Sequence, residues 1–304
     1  MTTGEPTRMR SSVAARAGTA LGILVTLACG GHSTPTVAPT PTPSPSPTPG
    51  VVRIVGSVQD TAFRPLADVN VEMTDGPQAG ASTTTNSSGQ FAFSGTFAPG
   101  TITFRISKAG YADVMQTLKV PSTGPNAGVP FTILQSLAPP VNIAGDYTLT
   151  FVADSMCTQI PEELRIRTYE ALITAVVSNP SIPPNTFFTA KVSGDFLIDP
   201  FNQNPTSPIF WIGVAGHDLG FNVDFDGPLL VEQLDSKTFL SIDGIAYAAV
   251  DTSAPSAIAA PLDGYFDYCV LKSEGTYRSC SITSQTVIHS VCASRNHRLI
   301  LTRR

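Results

Sequence analysis

The residues able to do chemistry are few and widely spaced: 5 cysteines, 4 histidines and 23 acids in 304 residues. Asp224 and Asp226 alternate along one strand and share a face, and Asp263 and Asp267 flank a turn. Such pairs could work as acid and base on a glycosidic bond or hold calcium. No D-x-D-x-D-G loop accompanies them, and Asp is a common exposed turn former, so they read as a solvated strand face and turn residues. His217, His289 and His297 show no H-E-x-x-H spacing, His32 lies near the N-terminus, and no G-x-S-x-G nucleophile elbow occurs. Trp211, in the apolar run Ile209–Ile212, reads as core, with a sugar-stacking platform as its functional alternative. Tyr111 reads as an aromatic packed over a sandwich end, with ligand stacking as its alternative. No catalytic residue, metal or cofactor is assigned, and the chain is expected not to be an enzyme.

Cys29 ends the one strongly apolar segment, whereas Cys157, Cys269, Cys280 and Cys292 form an even set in the C-terminal half. In an exported chain that set predicts two disulfides, with three connectivities open. Zinc would favour close pairs such as C-x2-C, which are missing. His297 lies near Cys292 in sequence, but a disulfide-bonded sulfur is no nucleophile.

These residues must be positioned by short strands, because Thr, Ser, Val, Gly and Pro dominate and helical apolar spacing is almost absent after the first thirty residues. Charged residues make up 13%, the net charge is −5, and no basic stripe is present to neutralise phosphates, which argues against a nucleic-acid partner. Residues 1–28 read as a signal peptide: Arg8, Arg10 and Arg16 precede the apolar run Ala17–Ala28. That run falls short of the roughly 20 residues a membrane span needs. Thr26-Leu27-Ala28-Cys29-Gly30 resembles a bacterial lipobox, with Thr26 where Leu is usual. The resemblance implies cleavage before Cys29, acylation (palmitate) of its thiol, and a membrane partner through that anchor. Residues 29–50 join the lipidated Cys29 to a Pro/Thr/Ser-rich tether, which as polyproline II extends about 3.1 Å per residue.

Residues 51–137 alternate as seven short strands between turns, the pattern of an antiparallel β-sandwich. Gly56-Ser-Val58, Pro65-Leu66-Ala67-Asp68-Val69, Thr83–Thr85, Gly89-Gln-Phe91 and Lys108-Ala-Gly110-Tyr111 occur in an order that resembles the carboxypeptidase regulatory-like domains. The resemblance implies a transthyretin-like sandwich serving as spacer or display module, and Asp68 departs from its usual Gly. Residues 141–304 offer eight to ten further strands, which suggests an antiparallel β-barrel-like domain with few edges to protect. Its start, G-D-Y-T-L-T-F through Cys157, and its end, Cys292 to Thr302, resemble a C-terminal domain of uncharacterised bacterial lipoproteins. That resemblance implies the pairings Cys157–Cys292 and Cys269–Cys280.

The expectation is an all-β, non-catalytic lipoprotein of the cell envelope, on the outer membrane with a periplasmic or surface face. It would display β domains for binding or envelope organisation toward a polysaccharide or protein partner. The alternative is a small-molecule or lipid carrier using the barrel interior, which needs an open cavity where a display module has a filled core.

Overall fold

Period-two alternation of apolar and polar residues puts one face of each strand in a core and the other in water. In the computed structural model, residues 51–76, 78–121, 124, 126–176, 183–223, 230–251 and 255–304 are described. The signal segment, Cys29, the tether and the Asp224/Asp226 pair lie outside them. The first domain comprises β1 (Val51–Asp60), β2 (Asn70–Met73), β3 (Ser82–Thr84), β4 (Gln90–Thr96), β5 (Gly100–Ser107), β6 (Val114–Val120), β7 (Asn126–Gly128) and β8 (Thr132–Leu134). One sheet is ordered β4-β1-β7, with β8 also on β1, and the other β3-β2-β5-β6. Ile54, Val58, Val71, Phe104, Ile106 and Leu134 fill the space between them.

The sandwich is not wholly antiparallel as expected, because β7 and β8 both run parallel to β1. β7 escaped the sequence reading because three residues, Asn-Ala-Gly, are too short to show alternation. Asp68 stands at φ 55°, a left-handed backbone that explains why glycine suits the position. At the β3–β4 turn, Asn86 Oδ1 accepts the Ser88 and Gln90 amides. Gly89 there has φ 71°, and a Cβ on it would lie 2.3 Å from the Val58 carbonyl.

The second domain comprises β9 (Gly145–Val152), β10 (Ile166–Ala175), β11 (Phe187–Ser193), β12 (Leu197–Ile198), β13 (Ile209–Ala215), β14 (Asp218–Asn222), β15 (Leu230–Gln233), β16 (Thr238–Ala249), β17 (Ala257–Leu271) and β18 (Thr286–Arg303). Pairing runs β16-β14-β13-β11-β10-β9-β18-β17 and closes through β17 on β16, so eight antiparallel strands form a barrel. β15 pairs with the first half of β16 and carries β12 beside it. The inward side chains, among them Tyr147, Phe151, Phe188, Phe221, Ile242, Phe266 and Leu301, form one continuous buried cluster. The barrel core is filled by side chains.

Two expectations need correction. Thr286–Val291 and Arg298–Thr302 are one strand, its polar middle held in the ladder by β17. Asp263 and Asp267 do not flank a turn but lie inside β17, opposite Ile245 and Ser241. Gly264 between them marks a register shift, which in sequence imitates a turn.

The four cysteines pair as the resemblance implied. Cys157 and Cys292 join with Cα atoms 5.6 Å apart, and Cys269 joins Cys280 at the far end of β17. Beside the first bond, His297 is fully buried. Its Nδ1 accepts the Asp154 amide (2.9 Å), so Nε2–H donates to the Cys292 carbonyl (3.2 Å) and the ring is neutral. Burial pushes its pKa down, outweighing the nearby carbonyls and Asp154.

The two domains meet through the β1–β2 turn. Asp60, wholly buried, accepts the Ala62 and Arg64 amides at 2.9 and 3.0 Å and the Arg64 guanidinium at 2.7 Å. That guanidinium also reaches Asp218 of β14 at 2.7 Å. The turn so held presses against two outward glycines of the barrel, Gly213 and Gly220, which face each other across β13 and β14. A Cβ at these positions would lie 2.0 Å from the Thr61 carbonyl and 1.8 Å from the Ala62 carbonyl. The Thr61 hydroxyl donates to the Val214 carbonyl (2.6 Å), and Tyr247 donates to the Phe63 carbonyl (2.9 Å).

Alanine at Gly213 or Gly220 has no room for its methyl without displacing backbone. Each substitution is expected to cost about 1–3 kcal/mol or more and to split a single thermal transition into two, one for each domain. Retention of one unshifted transition in calorimetry would contradict the docking. For His297 the folded pKa lies below the unfolded value, so the unfolded chain binds the proton more readily. Stability is therefore complete above roughly pH 6.5 and falls as pH drops below it. His297→Gln should flatten that slope in urea melts between neutral and mildly acid pH, even if it lowers stability throughout.

Candidate functional site

Rows of side chains across the barrel's outer wall position the first candidate site. One row, Phe187–Gly213–Gly220–Tyr247, receives the β1–β2 turn. The next, Thr189–Trp211–Asn222–Ile245, stays uncovered beside it. The sandwich side chains Gln59, Phe63, Phe131 and Ile133 face Phe187, Trp211, Asn222 and Ile245, leaving a cleft of about 430 Å³. Phe63 holds its place at φ 61° and stacks on Phe187, with ring centres 6.2 Å apart. Phe131 and Ile133 are 54% and 40% exposed. Among the described residues that line it, six are apolar, two carry amides and none is titratable.

Trp211 is therefore not core. Phe210, Ile212 and Val214 point inward, and alternation turns Trp211 outward into the cleft. The uniformly apolar Ile-Phe-Trp-Ile run hid this, because neither face carries a polar residue. Tyr111 lies elsewhere, packed against the sandwich core with its hydroxyl 3.5 Å from Asp60.

A second depression, of about 580 Å³, opens where β11 stops at Ser193 while β10 runs on toward Ile166, paired there with β9 alone. Arg167 bridges it with two parallel bonds to Glu232 of β15, at 2.7 and 2.8 Å. Beside them the Tyr169 hydroxyl is buried, with Arg167 and Glu232 as its charged neighbours. Burial, with the Glu232 charge adding to it, pushes that phenol's pKa well up. Sequence reading missed this group, since 65 residues separate Arg167 from Glu232 and neither belongs to a local motif.

The remaining candidates serve structure. Tyr277 bonds Ser241 (2.8 Å) and Asp267 (3.4 Å), and burial pushes it up to about 12. His289 lies 3.0 Å from Asp267, while the exposed Asp263 pairs with Arg295. His217 Nδ1 meets the Val250 carbonyl at 2.9 Å. Cys157, Cys292 and His297 bring their ligand atoms within 4.8 Å of one another. The two sulfurs are bonded to each other, so no thiolate is left there for a metal.

No curated protein matches the chain. A solved structure described as a membrane-associated protein of unknown function from Bacteroides fragilis aligns over 85% of this chain and 99% of its own. At 11% identity and a TM-score of 0.23, nothing of that protein carries over. The family model of the carboxypeptidase regulatory-like domain matches residues 53–133, from within β1 into β8. With its two-sheet architecture and its left-handed Asp68, the first domain of this chain is a carboxypeptidase regulatory-like domain.

Proposed function

We propose that this protein is a non-catalytic binding protein of the cell envelope. It is anchored by a lipid on Cys29 and takes an uncharged, apolar side chain of a protein partner into the cleft around Trp211. The observation that carries this reading is the cleft itself, with aromatic walls, two amides and no titratable group among the described residues. Such a lining suits binding through a buried apolar anchor and offers no acid, base or nucleophile for a reaction. The filled barrel interior favours binding at the wall over carriage inside. The two disulfides accord with an oxidising compartment. They support the export expected from residues 1–28.

Trp211 is the only tryptophan, so its fluorescence reports on the cleft. Titration with the uncharged probe N-phenyl-1-naphthylamine should give saturable energy transfer from Trp211. Phe131→Ser together with Ile133→Ser, both exposed, should weaken the probe about tenfold or more without moving the melting temperature. Linear, unsaturable quenching would sink the cleft as a binding site. The anchor is tested separately: an alkyne palmitate analogue should label the wild-type protein and leave Cys29→Ala unlabelled and released from membranes.

A further inference from the structure

A closed ring of strands removes the sheet edges that template other strands, but β18 outruns this ring. Its last part, Arg298–Arg303, lies between β17 and β9, whereas Thr286–Val291 pairs with β17 alone among the described residues. The direction of its unused backbone groups follows from the neighbouring strand. The Leu271 amide donates to the Lys237 carbonyl on the β16 side, at 2.9 Å. Val270 therefore turns the other way, toward β18, and meets Ile288 directly opposite. Alternation then points the N–H and C=O groups of His289 and Val291 out at the open edge. The open stretch ends at Cys292, where the disulfide to Cys157 and the bonds of Asp154 to Ser294 and His297 bring the loop after β9 against the strand. Edge strands are usually blunted by brevity, charge or proline. β12, another edge strand of this sheet, is two residues long. The Thr286–Val291 edge carries no lysine, acid or proline, and Val287, Ile288 and Val291 are 64%, 43% and 51% exposed.

Symmetry and charge select what pairs with it. One face of the edge reads Val287–His289–Val291, the same in both directions. An antiparallel copy centred on His289 sets Val287 of each chain opposite Val291 of the other, across a two-fold axis. Across Gln285–Ala293, His289 alone can carry a charge, and Asp267 of its own chain lies 3.0 Å away. Each copy thus brings its own counter-charge to the seam. The Pro-rich residues 33–50 make a poor added strand, because proline lacks the N–H that a ladder needs. We propose that this protein self-associates through the free edge of β18, two copies joining antiparallel about His289 so that their β17–β18 hairpins form one continuous sheet.

Sedimentation velocity tests this on the full chain carrying Cys29→Ala, which keeps a lipid on Cys29 from gathering copies in micelles. A monomer–dimer equilibrium that shifts with dilution is expected. Val291→Lys, at an exposed position, should raise the dissociation constant about tenfold or more and leave the melting temperature unchanged. Cysteine pairing in the same background tests the register. Opposite residues of a hydrogen-bonded antiparallel pair have Cα atoms about 5.5 Å apart, within reach of a disulfide. His289→Cys should therefore cross-link to its copy under mild oxidation. Val291→Cys, displaced from its counterpart by roughly 13 Å along the strand, should not. A chain monomeric at every concentration, a dimer indifferent to Val291→Lys, or cross-linking as ready at Val291→Cys as at His289→Cys would each overturn the proposal. So would a monomer that instead binds a synthetic extended peptide of alternating valine and threonine, which would give the edge to a strand from another protein.

Discussion

Backbone on backbone is the closest approach two domains can make, and here it depends on two facing glycines. At Gly213 and Gly220 the barrel wall is bare of side chains, so the Thr61 and Ala62 carbonyls rest directly on it. Directional bonds then surround the contact: Thr61 to Val214, Tyr247 to Phe63, and Arg64 between Asp60 and Asp218. The turn is braced from within by the buried Asp60 carboxylate, so its shape does not rest on the interface bonds alone. The Trp211 cleft is a by-product of this geometry. It occupies the next cross-strand row, too far from the docked turn to be covered and too near to be fully solvated.

A barrel filled by its own side chains leaves concavity only to its surface. Phe188, Phe221, Phe266 and their neighbours leave the interior to stability, and two irregularities of the wall supply concavity. One arises where another domain leans on it, the other where pairing between β10 and β11 stops early. Their chemistry differs accordingly. The first inherits the apolar outward residues of two domains, and the second exposes the polar groups that seal a broken seam.

Local periodicity made most strands legible, and the turn glycines marked their ends. The all-β class and the regulatory-like domain could be read from Val69–Met73, Gly89 and Gly110-Tyr111 without coordinates. Legibility failed where local pattern and pairing disagree. Gly264 looked like a turn but is a ladder irregularity, and the polar Ala293–Asn296 stretch looked like a break but is carried by β17. Trp211 was misread because its strand is apolar on both faces. Arg167, Tyr169 and Glu232 come together only through the closed ring and its β15 flap, a long-range contact that no spacing encodes.

The ring closes by joining β9 to β18, the first of its strands in the chain to the last. No barrel can exist until residues up to Arg303 are available, whereas the sandwich is complete by Leu134. Folding of this protein is thus ordered by its topology: a sandwich assembled from nearer contacts first, then a wait for the final strand. During that wait the apolar strands of the unfinished barrel stand unpaired, so the interval between the two events is when this molecule is most exposed to aggregation.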